Sequence, residues 1–357
     1  MNITWKYTNK MVNDLIKINS VKEIVDLLEL PIFIEEEIKK ETLVKRVHYS
    51  TKIEGNSLNL NEVKKVIENQ NKAHERNAIE VKNYYSALLY LNEKAEISNT
   101  VNEKLIKEIH NLVSGKNLNY KCKYRDGQNV VSNSSTGTIV YMPPEAKDVE
   151  LLIKEMIDNF NSEAMEDIPI PIKAGIIAYE FVTIHPFWDG NGRTSRLLAT
   201  YILKANGYDL KGFYVMEEFY DKNINDYYNS LQMGLHHNYY FGRCDADITK
   251  WLEYFIGIMS TTFEIVGNKV KEIYLNNENE INIIETLDKR ERWVANYILT
   301  NKKIKAKDIA THFKINVDTA NNWIKKWIEK DFLRRYDNKQ IRNVDYVLTA
   351  KYYEKLK

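Results

Sequence analysis

Apolar residues recur at three- and four-residue intervals through most of this chain, and that spacing predicts helices. Glu36 to Glu54 reads as one helix ended by Gly55, a residue that takes a left-handed cap at little cost. A second helix follows at once: Asn59 caps it, and Glu62 stands where a capping-box partner belongs. Further helices fit 77–96, 101–113 and 147–161. Pro169 and Pro171 open another that runs to Ile184 and is stopped by Pro186. The next starts near Gly192 and ends at Asn206-Gly207, and a helical pair covers 222–234 and 246–264. One stretch breaks the pattern. Asn129 to Tyr141 reads NVVSNSSTGTIVY, two β-prone runs around a polar, Gly-containing turn, closed by Pro143-Pro144. That predicts a hairpin. A lone hairpin on a helical body makes a poor core element, so it is expected at the surface.

The order changes after 264. Residues 265–290 are charged and Asn-rich and read as a connection. Helices then fit Glu291 to Thr300, Lys305 to Phe313 and, after a turn at Ile315-Asn316, Asp318 to Lys330. Two β-prone runs around Asp337-Asn338 follow, from Arg334 to Leu348. Three helices and a β-ribbon are the pattern of a winged helix-turn-helix. Asn321, Asn322, Lys325 and Lys326 give its last helix a polar face, with Trp323 and Trp327 expected in the core.

Length and charge add an asymmetry. A chain of 357 residues suggests two or three domains. The formal net charge is only +1, yet residues 281–357 carry 18 Lys/Arg against 10 Asp/Glu, a net of +8, which leaves −7 for the rest. Two cysteines, Cys122 and Cys244, lie far apart without metal-ligand spacing, as expected of a protein in a reducing cytosol. The first residues, MNITWKYTNK, lack the apolar run of a signal peptide. The most apolar stretch, Ala174 to Trp188, is interrupted by Glu180 and His185, so no membrane span is expected.

Chemistry concentrates in His185-Pro-Phe-Trp-Asp-Gly-Asn-Gly-Arg-Thr-Ser-Arg196. His185 falls at a helix-to-loop junction, open to a cleft. Gly190, Asn191 and Gly192 form a tight turn into the next helix, whose first amides have no internal acceptor and whose dipole favours negative charge. Such a turn is an anion cradle. Arg193 and Arg196 add two cations on one helical face. Asp189 stands in front, where a carboxylate beside phosphates suggests Mg²⁺. Phe187 and Trp188 read as apolar anchors of the loop. Base, cradle, cations and metal carboxylate together make a phosphoryl-transfer constellation.

A second group lies upstream, at Ser50 and Glu54. A carboxylate in the last turn of a helix is disfavoured by the dipole by about 0.3–1 kcal/mol. Ser50, one turn earlier on the same face, can hydrogen-bond it, and the charge calls for a cation supplied from elsewhere.

The run from His185 to Arg196 resembles the motif of the Fic family, His-x-Phe-x-(Asp/Glu)-Gly-Asn-Gly-Arg-x-x-Arg, at every defined position. Ser50 to Asn56 resembles that family's inhibitory pattern, Ser/Thr-x-x-x-Glu-(Gly/Asn). The resemblance spans roughly residues 30–260. It implies a mainly α fold: a Fic-type helical domain with a β-hairpin flap, followed by the winged helix-turn-helix. The domains would be an N-terminal helical region with an inhibitory helix (1–100), the Fic core (101–264), the connection (265–290) and the winged helix (291–357). It also implies an adenylyltransferase that moves AMP from ATP to a hydroxyl of a target protein. His185 would be the base and Asp189 the Mg²⁺ ligand. Gly190, Asn191, Gly192, Arg193, Thr194, Ser195 and Arg196 would bind ATP, with Arg196 on the γ phosphate. Tyr227 and Tyr228 would lie near the adenine, and Ser50 and Glu54 would inhibit. Expected partners are a target strand paired with the flap at 130–141, the chain itself as a substrate, a second copy in a homodimer, and DNA through 291–357. Transfer of another nucleotide, removal of AMP with Glu54 orienting a water, and a DNA-binding regulator are the alternatives.

Overall fold

The computed structural model of the chain describes residues 1–68, 75–132, 136–276, 287–337 and 344–356. They fall into two units, one of Met1–Glu23 with Glu41–Val266 and one of Ile24–Lys40 with Gly267–Lys357. In chain order the helices up to the hairpin are α1 (Asn9–Leu27), α2 (Ile32–Ile53), α3 (Leu60–Ile67), α4 (Arg76–Ile97) and α5 (Glu103–Val113). The hairpin β1 (Val131–Ser132) and β2 (Ile139–Tyr141) follows. Then come α6 (Ala146–Phe160), α7 (Ile170–Ile184), α8 (Asn191–Ala205), α9 (Met216–Lys222), α10 (Ile224–Gln232) and α11 (Thr249–Asn276).

The expected mainly α architecture is present, and Asn59 and Glu62 form the anticipated capping box of α3. Three differences have local causes. Helix α1 was not anticipated, although Met11, Leu15 and Ile18 are buried at helical spacing and Thr8 Oγ1 accepts from the Met11 amide. The expected helix at 222–234 is α10, while α9 before it was not anticipated; the two are separated at Asn223, whose φ/ψ of −127°/56° is not helical. Helix α11 continues into the expected connection because Val266 and Val270 carry on the buried stripe of Phe263.

The core of the first unit is α7, which packs against α6 and α8 and is buried on nearly every side. That fits a segment apolar all round. Gly175 lets α11 approach: a Cβ there would lie 2.8 Å from Leu252 Cδ2, and Trp251 Nε1 donates to the Gly175 carbonyl at 2.8 Å. Cutting a fully buried ring such as Phe181 to Ala would cost about 3–5 kcal/mol. This rigid helix aims its C-terminal end, and so His185, at the surface under the hairpin. The hairpin strands pair antiparallel, Val131 with Tyr141 and Ser132 with Ile139; the middle of the expected turn, 133–135, lies outside the described residues.

The second unit holds α12 (Lys289–Asn301), α13 (Ala306–Phe313), α14 (Val317–Glu329), β3 (Leu333–Arg335), β4 (Tyr346–Leu348) and α15 (Ala350–Leu356). β3 and β4 pair antiparallel, and Ile304 bridges to Tyr346. Val294, Ile298, Ile309, Ile324, Trp327 and Phe332 form its core together with Ile32. Asn321, Asn322, Lys325 and Lys326 are exposed on α14. Trp323, expected in the core, is only half-buried beneath Arg290, whose guanidinium lies 4.8 Å from the ring centre. Asn338 of the expected ribbon turn is outside the described residues.

Candidate active site

Helix α7 ends at His185, which adopts a left-handed φ/ψ of 51°/57°. That conformation is uncommon for a side chain of this size. It is held by the His185 amide on the Phe181 carbonyl at 3.0 Å and by Arg125 Nε on the His185 carbonyl at 2.9 Å. The ring Nδ1 lies 3.2 Å from the Val182 carbonyl. A carbonyl only accepts, so Nδ1 carries the proton and Nε2 is left as a base. Burial pushes the imidazole pKa below its ordinary value, against the opposing pull of the Val182 carbonyl and Glu54.

The loop after His185 is built around Phe187 and Asn191. Phe187 is buried and stacks on His110, ring centres 3.5 Å apart. Asn191 Oδ1 accepts from the Phe187 amide at 2.9 Å, and its Nδ2 donates to the Phe187 carbonyl at 2.8 Å. Both ends of the side chain thus help to hold the turn, and its main-chain amide opens α8. Gly190 has a φ of 77°, and a Cβ there would lie 3.1 Å from Val113 Cγ1, so the turn needs a glycine. Trp188 is not the expected anchor: it is 58% exposed and lies over Gly127.

The amides of Asn191, Gly192 and Arg193 open α8 without intrahelical acceptors, and the Thr194 amide closes the first helical bond to Gly190 at 2.9 Å. Thr194 and Ser195 were expected to bind ATP. Their side chains are buried instead, and Ser195 Oγ donates to the Ala178 carbonyl of α7 at 2.9 Å. The adjoining face of α8 carries the two arginines. Arg193 pairs with Glu80 of α4, and with Asp189 at 3.1 Å. Arg196 donates through Nε to Ser50 Oγ at 2.8 Å, and through a terminal nitrogen to the Ser50 carbonyl at 2.8 Å and Glu54 Oε1 at 2.9 Å. Burial opposes the charge of Arg196, and Glu54 together with Tyr227 and Tyr84 more than offsets it, so its pKa is raised.

Ser50 and Glu54 therefore meet the cation that the sequence called for. Glu54 sits just past the end of α2 rather than in its last turn, with Gly55 in a left-handed turn behind it. A Cβ on Gly192 would collide with Glu54 Oε1. The carboxylate thus occupies the mouth of the anion cradle itself. One further contact extends the pairing of α2 and α8, and another ties the turn after α2 to α4. Arg46 donates to Thr200 Oγ1 at 2.8 Å. Positions 46, 50 and 54 then face 200, 196 and 192, as in two antiparallel helices. Asn56 Nδ2 donates to Glu80 Oε2 at 2.8 Å, which ties the turn after Glu54 to the carboxylate that holds Arg193.

Asp189 is 80% exposed, and its Oδ1 is taken by the Gly190 amide at 2.6 Å and by Arg193. Among the described residues no three His, Cys, Asp or Glu side chains gather as a metal cage. A single carboxylate is nevertheless the donor set that Mg²⁺ uses beside substrate phosphates.

The family model described as Fic/DOC matches residues 100–203, which contain the whole run from His185 to Arg196. The matched segment is thus the part of the chain that holds the candidate site. A protein adenylyltransferase Fic of Nematostella vectensis is 32% identical over 55% of this chain and 44% of its own length. One from Drosophila willistoni is 30% identical over 48% of this chain and 34% of its own length. The chain thus spans less than half the length of these curated relatives. A Fic family protein of Desulfovibrio desulfuricans G20 superposes over 98% of this chain and 99% of its own, with a TM-score of 0.62 at 20% identity. Fic-1 of C. elegans, residues 134–508, superposes over 74% of each chain with a TM-score of 0.54 at 22% identity.

In this chain the tyrosine pair divides. Tyr227, expected near the adenine, is buried and stacks on Tyr220, ring centres 4.6 Å apart. Tyr228 is 41% exposed, and its hydroxyl donates to the Ile53 carbonyl at 3.3 Å, at the end of α2. Arg46, Glu80 and Arg125 escaped the reading of the sequence. Arg46 had a signal, since it lies one helical turn before Ser50 and two before Glu54. Glu80 and Arg125 had none, because their partners lie 113 and 60 residues away.

Proposed function

We propose that the chain transfers AMP from ATP to a hydroxyl of a target protein and that Glu54 restrains this activity. The observation that carries the reading is a carboxylate paired with Arg196 and held against Gly192 at the start of α8, the helix that follows the turn of a histidine whose Nε2 is free to act as base. A carboxylate already takes that place, and the two curated relatives named above carry the name protein adenylyltransferase. His185 Nε2 takes the proton of the target hydroxyl. The oxygen attacks the α-phosphorus, the bond from phosphorus to the bridging oxygen of the β phosphate breaks, and pyrophosphate leaves. The amides of Asn191 to Arg193 and the two guanidinium groups stabilise charge on the phosphate oxygens. Asp189 would hold Mg²⁺, which would neutralise phosphate charge when bound. Incubation of the Glu54→Gly variant with α-labelled and, separately, γ-labelled ATP tests this. Label should enter protein from the α position alone and vanish with His185→Ala. Label from the γ position would make the chain a kinase instead.

One feature favours a second activity at the same site. Glu54 is partly exposed, and its Oε2 accepts no hydrogen bond among the described residues. That oxygen is available to orient a water for removal of AMP. Wild-type protein would then strip label from a modified target, and Glu54→Gly would not. For the second unit, the exposed polar face of α14 supports DNA binding in a winged-helix mode. Affinity of the full chain for duplex DNA should fall with salt, with a shallower slope in Lys325→Glu.

A further inference from the structure

Arg125, between α5 and the hairpin, is 2% exposed. No carboxylate of the described residues lies within 4.0 Å of its guanidinium. A buried cation without an anion is costly unless its donors are met, and here carbonyls meet them. Nε donates to His185 O at 2.9 Å, one terminal nitrogen to Gly127 O at 2.9 Å, and the other to Pro144 O. The Arg125 amide donates to Pro186 O at 2.9 Å. One planar fork thus joins three segments: the turn that carries the base, the approach to β1 and the exit from β2. The His185 carbonyl needs such a partner, because the last carbonyls of a helix have no internal donor. Beside the fork, Asn129 Nδ2 donates to Phe187 O at 3.2 Å and the Tyr141 hydroxyl to Thr183 O at 2.5 Å.

We infer that Arg125 is a positioning residue that fixes the hairpin to the catalytic turn, so that a hydroxyl on a segment docked at the hairpin meets His185 Nε2 in one geometry. The inference rests on the reading of His185 as base and of the hairpin as docking flap. Arg125 touches neither the opening amides of α8 nor the two arginines, so it acts on the transfer step and leaves nucleotide binding alone. Lysine cannot replace it, since a point-like ammonium does not present three donors in one plane.

The test compares Arg125→Lys and Asn129→Ala in the full-length Glu54→Gly protein. For Arg125→Lys, ATP affinity by calorimetry should stay within about twofold while the turnover of target labelling falls at least about tenfold, the scale on which misplacement of about 1 Å acts. Hydrogen exchange should rise together at 136–141 and 185–188 and stay unchanged in α4. Asn129→Ala removes a smaller part of the same seam, so it should lower turnover in the same direction with ATP affinity intact; it also serves if Arg125→Lys does not fold. Unchanged turnover in Asn129→Ala or in folded Arg125→Lys, a parallel loss of ATP affinity, or faster exchange in one segment alone would overturn the inference. If Glu54→Gly labels nothing from α-labelled ATP, the proposed activity fails, and the linked exchange of the two segments still decides the role of Arg125.

Discussion

Replacement of Glu54 by Gly removes one contact of 2.9 Å from Arg196 and clears the space above Gly192. Loss of one partner from a buried ion pair typically costs about 3–5 kcal/mol. Two features reduce that here. Glu54 is 27% exposed on its side chain, and Arg196 keeps both bonds to Ser50. About 2–3 kcal/mol is therefore the expected loss of the closed arrangement, which corresponds to a roughly 30–150-fold gain in the open population. The initial rate of AMP incorporation from α-labelled ATP should rise by a similar factor. Glu54→Gln retains the shape and a neutral acceptor for Arg196, so its rate should fall between wild type and Glu54→Gly. The pair is largely shielded from water, so the ratio should change little between low and moderate salt. Combined with His185→Ala, the gain should disappear, because a released nucleotide would still lack its base. Equal rates for wild type, Glu54→Gln and Glu54→Gly would refute the reasoning, and so would a tighter hold on ATP with no gain in rate.

Three other outcomes follow from the same contacts. Because burial lowers the His185 pKa, its base form persists below the ordinary histidine value of 6.5; transfer by Glu54→Gly should be flat from pH 7 to 8 and decline only as pH falls below 6.5. Asn191→Ala should lower stability by about 1–3 kcal/mol in thermal melts, since the Phe187 amide loses its partner and the Phe187 carbonyl keeps only Asn129, and transfer should fall with it. Glu180 is 3% exposed, and burial pushes its pKa up to about 7. A carboxyl whose folded pKa exceeds its unfolded value loses stability as pH rises from about 4.5 through 7. Glu180→Gln should therefore raise the Tm at pH 8, by the equivalent of at most about 3 kcal/mol, and leave it nearly unchanged at pH 4.5; a gain of equal size at both would show that charge is not the cause.

The parts of the site that lie on consecutive residues were legible in the chain. His185 to Arg196 forms turn, helix start and cations within twelve positions, and Ser50 and Glu54 are one helical turn apart, so local geometry fixes each group. The use of each polar atom was not legible. An asparagine in a glycine turn has the same donors and acceptors whether it holds a phosphate or its own main chain, and only the folded turn commits Asn191 to Phe187. Tyr227 and Tyr228 are neighbours in sequence and point about 100° apart on a helix, so one is in the core and the other at the surface. Arg125 and Glu80 depend on segments that meet through packing alone. Helix α1 had the right periodicity, but Asn9 and Asn19, Lys10 and Lys17 dilute it with polar residues.

The pairing of positions 46, 50 and 54 with 200, 196 and 192 also restricts how α2 can travel. Packed helices usually slip in steps of a turn, because apolar knobs fit the next hole almost as well. Here a slip of one turn in one direction sets Arg46 against Arg196, and in the other against Lys204. Both place two cations together, the first pair where each is buried and the second beside a lysine already paired with Asp209. Neither neighbouring register is thus a resting place. On the proposed reading of Glu54, the end of α2 would leave its one seated register by peeling away rather than by sliding, and the restraint would be a switch with two positions instead of a graded brake.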